Sequence, residues 1–117
     1  MNLENTKAQM RKGVLELCML SLLASKEAYA SEIIEKLKAH KLLVVEGTVY
    51  PLLTRLKNDG LLSYRWEEST GGPPRKYYRI TPLGETVLSE LKKSWGNLVE
   101  SVSKLTENHE KHRAVGS

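Results

Sequence analysis

One cysteine and three histidines are all that 117 residues offer for redox or metal chemistry. Cys18 alone cannot build a disulfide within the chain, which fits a reducing compartment. It also lacks an adjacent base to activate it. His109 and His112 have helix-compatible spacing, but they stand beside Lys111 and Arg113 with no third ligand close, and His40 is remote. There is no glycine-rich phosphate loop and no paired-carboxylate arrangement. Enzyme activity, a cofactor and a metal site are therefore not expected. The longest apolar stretch, Val14 to Ala24, is interrupted by Glu16 and falls well short of the ~20 residues a bilayer span needs. A basic-then-apolar leader is also missing. The expectation is a cytoplasmic protein with no membrane partner, without internal repeats or low-complexity segments.

What the sequence does carry is a localised positive charge. The net charge is +4. Residues 1–81 hold 13 Lys and Arg against 9 Asp and Glu, whereas residues 82–117 hold 5 against 5. The whole excess sits in the first two-thirds, where a polyanion would be met.

Apolar periodicity predicts a first helix from about Leu3 to Ala24, buried over its second half, and a second from about Tyr29 to Ala39 with Ile33, Ile34 and Leu37 inward. Leu42 to Val45 reads as a short strand. A third helix opens at Glu46-Gly47-Thr48, tolerates Pro51 in its first turn and stops at Gly60. Leu62–Glu67 and Arg75–Ile80 read as two strands around the turn Glu68–Pro74. Thr81-Pro82 then caps a long final helix to about His109. The predicted fold is mainly α with a small β wing: a winged helix-turn-helix over 1–81, a C-terminal dimerisation helix over 82–110 and a frayed tail over 111–117.

In a winged helix-turn-helix the third helix enters the major groove. Here Val49, Leu52, Leu53 and Leu56 form its core side, while Pro51, Thr54, Arg55 and Asn58 point outward with Thr48 and Tyr50 near the start. That face has an arginine able to fork onto guanine, hydrogen-bonding groups for other base edges and no carboxylate before Asp59. After the wing tip come Arg75 and Lys76, suited to phosphate contact. Strand alternation sends Lys76, Tyr78 and Ile80 to one face and Arg75, Tyr77 and Arg79 to the other, so not every cation reaches DNA. At least one of Tyr77 and Tyr78 is expected to pack. The DNA-binding set is Thr48, Tyr50, Pro51, Thr54, Arg55, Asn58, Arg75 and Lys76. The competing reading is a winged helix used for protein contacts without specific DNA binding.

Leu88, Leu91, Trp95, Leu98, Val102 and Leu105 are spaced 3, 4, 3, 4 and 3, the pattern of a seam against another helix. A second copy of the chain is the simplest partner, with Leu83 and Val87 packing back on the first helix. Trp95 on a two-fold seam meets its own mate, and two facing indoles could hold a planar aromatic molecule.

The blocks Lys12–Leu17, Leu20–Leu23, Tyr29–Ile34, Gly47–Leu56, Asn58–Leu62 and Gly71–Gly84 are together similar to PadR-family transcription regulators, over about residues 10–106. The chain resembles most the short members with one C-terminal helix, such as the multidrug-binding lactococcal one, where a tryptophan on that helix stacks flat drugs. Ala30 and Val49 stand where the family often has Gly and Leu. The resemblance implies a dimeric repressor of a palindromic operator, released by a planar aromatic ligand at the dimer interface, with Trp95 as the ligand-contacting residue.

Overall fold

A computed structural model describes residues 1–42 and 45–116, with side chains as far as Glu107. The elements are α1 (Leu3–Lys12), α2 (Leu15–Ser25), β1 (Ala28–Tyr29), α3 (Ala30–Ala39), a 3-10 turn (Glu46–Thr48), α4 (Val49–Asn58), β2 (Leu62–Ser69), β3 (Gly72–Ile80) and α5 (Pro82–Gly116). The strand expected over Leu42–Val45 falls on Leu43 and Val44, outside the described residues.

The single first helix of the sequence reading is two helices. Asn2 caps α1, its Oδ1 accepting from the Asn5 N–H at 3.1 Å. The helix ends at Gly13, and Val14 leaves helical geometry at φ −109°, ψ 0°. Glycine costs about 1 kcal/mol in a helix relative to alanine, and the composition changes at the same point. No residue of α1 is buried, whereas Leu15, Met19, Leu20 and Leu23 of α2 are. An apolar helix of this kind belongs at the centre of a domain, and α2 packs against α3, β3 and α5.

The core is built by these α2 residues with Ile33, Ile34 and Leu37 of α3, Val49, Leu53 and Leu56 of α4, Leu62 and Tyr78 of the sheet, and Leu88 of α5. Helix α3 opens with the Tyr29 N–H donating to the Glu32 carboxylate at 3.0 Å. Lys38 near its end pairs with Glu46, tying it to the turn that starts α4. Helix α4 ends as expected. Gly60 takes φ 81°, its N–H donates to Lys57 O at 3.0 Å, and the Leu61 N–H reaches Leu56 O at 2.9 Å. A left-handed residue closing a helix this way is glycine's usual place.

The sheet has three antiparallel strands in the order β1-β3-β2, so the hairpin is joined at one edge by the two residues before α3. The hairpin is longer than the sequence pattern indicates. Its turn is only Thr70-Gly71, and Pro73 and Pro74 lie inside β3 instead of the tip. The register explains how β3 tolerates them. Glu67 faces Arg75 and Ser69 faces Gly72, so two residues oppose one in a bulge, where a missing N–H does least harm. Ser69 Oγ donates to Pro73 O across it at 2.8 Å.

Helix α5 begins at Pro82 and continues to Gly116, beyond the expected end near His109. Its 35 residues would span about 52 Å at 1.5 Å per residue. Its first turns pack on the winged domain. Val87, Leu88 and Leu91 meet the core, but Leu83, expected to do so, is 54% exposed.

Candidate nucleic-acid interface

The outer face of α4 is as the periodicity predicts. Val49, Leu53 and Leu56 are buried, while Thr48, Tyr50, Pro51, Thr54, Arg55 and Asn58 are all exposed. Anchoring three aliphatic side chains leaves the opposite surface free to meet a ligand without unfolding anything. One detail departs from expectation. Arg55 is not a free cation: its guanidinium pairs with Glu16 of α2.

The wing divides its charged residues between two faces. On the outer face Arg65 pairs with Glu67 at 3.0 Å and Glu27 at 3.6 Å and lies over the Tyr77 ring at 4.6 Å. Arg79 Nε donates to Ser63 Oγ at 3.0 Å. These two arginines hold the sheet. Arg75 is exposed, 5.2 Å over the Tyr29 ring beside the start of α3. On the inner face, towards α4, Tyr78 is buried and packs as one of the two tyrosines was expected to. Burial pushes its hydroxyl pKa upward, and Tyr64 and Tyr50 add to the shift. Beyond it, Lys76 is half-buried with its ammonium 4.6 Å from the Tyr64 ring and 5.6 Å from Trp66. Aromatic faces attract and position a cation, so Lys76 is held against the Tyr64–Trp66 pair of the wing.

Between α4 and the wing lies an open cleft of about 500 Å³ whose walls include Ser31, Tyr50, Thr54, Trp66, Arg75 and Lys76. Among the described residues no carboxylate lines it. Tyr50 and Thr54 of the helix face thus share one concave surface with the wing cations Arg75 and Lys76, whereas Thr48, Pro51 and Arg55 line a second cleft with Lys12, Leu15 and Glu16. Sequence reasoning missed Trp66, Tyr29 and Ser31. Trp66 is 61% exposed on that surface, and its position two residues from Tyr64 on the same strand face was the available signal.

The seam on α5 is only partly as expected. Leu88 is 6% exposed within its own domain, so it is core and not seam: the first turns of α5 are already used up against α2. Leu91 is half-buried. From there Trp95, Leu98, Val102 and Leu105 run along the helix with 45%, 55%, 51% and 73% of their surface exposed. Trp95 closes one side of a cleft of about 160 Å³ formed with Gly13, Val14, Glu16 and Leu17. His40 is exposed with Nδ1 2.8 Å from Lys36 O. Among the described residues no three His, Cys, Asp or Glu converge as metal ligands, and no helix is long and apolar enough to cross a membrane.

Residues 19–90, the winged domain from the middle of α2 to the first turns of α5, match the transcriptional regulator PadR-like family. The chain belongs to the PadR family. A PadR-like transcription factor of Bacteroides fragilis is 62% identical, with a TM-score of 0.72 over 86% of this chain and 98% of that one. A PadR-family regulator of Eggerthella lenta is 36% identical, with a TM-score of 0.83 over 90% and 92%. A transcriptional regulator of Mycobacterium tuberculosis is 31% identical over 94 residues, 80% of this chain and 87% of that protein. As a PadR protein the chain is a non-enzymatic, DNA-binding transcription regulator, and its winged fold is that of its solved relatives.

Proposed function

We infer that this PadR protein is a cytoplasmic, homodimeric repressor that reads a palindromic operator through two copies of α4. The observation carrying this reading is the stripe Trp95, Leu98, Val102 and Leu105, left bare by the chain's own fold. Large contiguous apolar surface on a soluble protein marks an interaction site, and a heptad stripe asks for another helix. Two-fold pairing through α5 gives two reading heads, which address half-sites about 34 Å apart on one face of the duplex.

Each head places Tyr50, Pro51, Thr54, Arg55 and Asn58 in the major groove, with Thr48 at the helix start. The sugar-phosphate strand beside it runs through the cleft between α4 and the wing, against Arg75 and Lys76. A planar aromatic ligand would enter beside Trp95, where pairing brings the two α2–α5 clefts to one interface. It acts by favouring one separation of the heads over another; a ligand indifferent to that separation shifts nothing.

A salt series of gel shifts on palindromic and scrambled DNA tests the reading. The palindrome should bind more tightly, and affinity should fall steeply as salt rises. Arg55→Ala should relax base preference at one position, whereas Lys76→Ala should weaken all DNA alike and reduce the salt slope by about 1. An unchanged base preference in Arg55→Ala would remove the assigned readout face.

A further inference from the structure

Among the described residues Glu16 is the one carboxylate paired with the reading face, and nothing in DNA binding itself calls for an acidic residue there. It stands in the first turn of α2, where an acidic side chain is favoured by the helix dipole. That dipole does not explain its direction, which is across to the Arg55 guanidinium on α4. We propose that Glu16 is a positioning residue for Arg55: its carboxylate holds one side of the guanidinium fork so that the remaining N–H groups present a fixed edge to a base. The proposal rests on the reading of Arg55 as a base contact.

The geometry favours a positioning role over a stabilising one. The two side chains keep 57% and 45% of their surface exposed, and pairs so open to solvent contribute little to folding. An unpaired arginine on an exposed helix face samples many rotamers, and ordering it on DNA costs conformational entropy. A partner that is itself anchored reduces that loss, and Glu16 is anchored because the residue before it, Leu15, is buried in the core. Arginine recognises guanine through a planar fork, so restricting the plane sharpens the choice of base as well as strengthening it.

Glu16 also stands where two clefts meet. It lines the recognition-helix side with Lys12, Thr48, Pro51 and Arg55, and it lines the α2–α5 side with Leu17, Leu91 and Trp95. Among the described residues it is the only charged one lining the second cleft. An occupant of the Trp95 cleft therefore meets the same carboxylate that orients Arg55.

The test compares Glu16→Gln, Glu16→Asp, Arg55→Ala and the double variant Glu16→Gln/Arg55→Ala in the full-length protein. Each is titrated against the preferred operator and against operators substituted at each position, with circular dichroism as a check on folding. Glu16→Gln should lower discrimination at the position Arg55 reads by about fivefold, the lower end of what one bidentate arginine–base contact contributes. Affinity for unrelated DNA should rise, because a negative charge beside the phosphates is gone. Glu16→Asp keeps the charge but shortens the reach by a methylene, so it should lose discrimination without that rise. In the Arg55→Ala background Glu16→Gln should leave base preference unchanged. If Glu16→Gln raises all affinities equally and both Glu16 variants keep the preference of the parent, the carboxylate is merely repulsive and the proposal fails, while the reading of Arg55 stands. If Arg55→Ala alone leaves the preference intact, that reading falls first and takes the proposal with it.

Discussion

Replacing Gly84 by alanine sets a methyl group against backbone. Gly84 is buried in the first turn of α5, where that helix crosses the end of the α4–β2 turn. A Cβ at this position would overlap the Leu61 carbonyl oxygen and lie 2.6 Å from Ile80 Cγ1. A carbonyl in a hydrogen-bonded turn cannot swing aside as a side-chain end can, so α5 must lift. Lifting strains the Thr81 N–H bond to Leu61 O at 3.0 Å and the Thr81 hydroxyl bond to Gly60 O at 2.6 Å. Overpacking costs about 1–3 kcal/mol, and the two weakened bonds add about 1 kcal/mol between them. The alanine returns about 1 kcal/mol of helix propensity, leaving a net loss of about 2 kcal/mol. At about 5 °C per kcal/mol for a chain of this size, Tm should fall by about 10 °C. Gly96 of the same helix is the control. Nothing lies within 4 Å of a Cβ there, and it sits roughly 140° round the helix from the Leu91–Leu98–Val102 line, so Gly96→Ala should raise Tm by about 5 °C. Thermal melts at one protein concentration measure both. A Gly84→Ala protein as stable as its parent would refute the close crossing on which the placement of α5 depends.

Other outcomes follow from the wing. Trp66→Ala removes an exposed aromatic from the cleft but no charge, so it should weaken cognate and scrambled DNA alike by about fivefold, about 1 kcal/mol of apolar contact, with the salt slope unchanged. A changed slope, or no loss of affinity, would place the DNA strand elsewhere. Tyr78 supplies a pH dependence. Its folded pKa is raised by burial, with Tyr64 and Tyr50 contributing, so the folded state holds that proton more tightly than the unfolded chain does. Its contribution to stability is complete below the ordinary tyrosine value of about 10 and is lost as pH climbs through the folded value. Melts above pH 10 should show Tm falling less steeply in Tyr78→Phe than in the parent; identical slopes would contradict the assignment.

The parts of the fold legible in the sequence are those fixed by local periodicity and turn chemistry. The three apolar anchors of α4, its end at Gly60 and the shared face of Lys76 and Tyr78 on β3 depend on neighbours a few residues away. What was not legible depends on distant partners. The pairing of Ala28–Tyr29 with Tyr77 and Tyr78 joins segments nearly fifty residues apart, and two residues carry no period. Pro73 and Pro74 read as a turn because the bulge accommodating them exists only in the paired hairpin. Leu88 fits the heptad as well as Leu91 does, and only the packing of α5 on α2 assigns it to the core. Arg55 looked unpaired because its partner lies thirty-nine positions earlier in the chain.

Pairing of α5 with a second α5 is tested most directly by sedimentation equilibrium. At micromolar concentration the protein should sediment at twice its chain mass of 13.2 kDa, and Leu98→Asp, which puts a charge into the exposed stripe, should shift it towards the single-chain mass while the winged domain stays folded. A parent protein that sediments as one chain, or a Leu98→Asp variant that remains as fully dimeric as the parent, would contradict it.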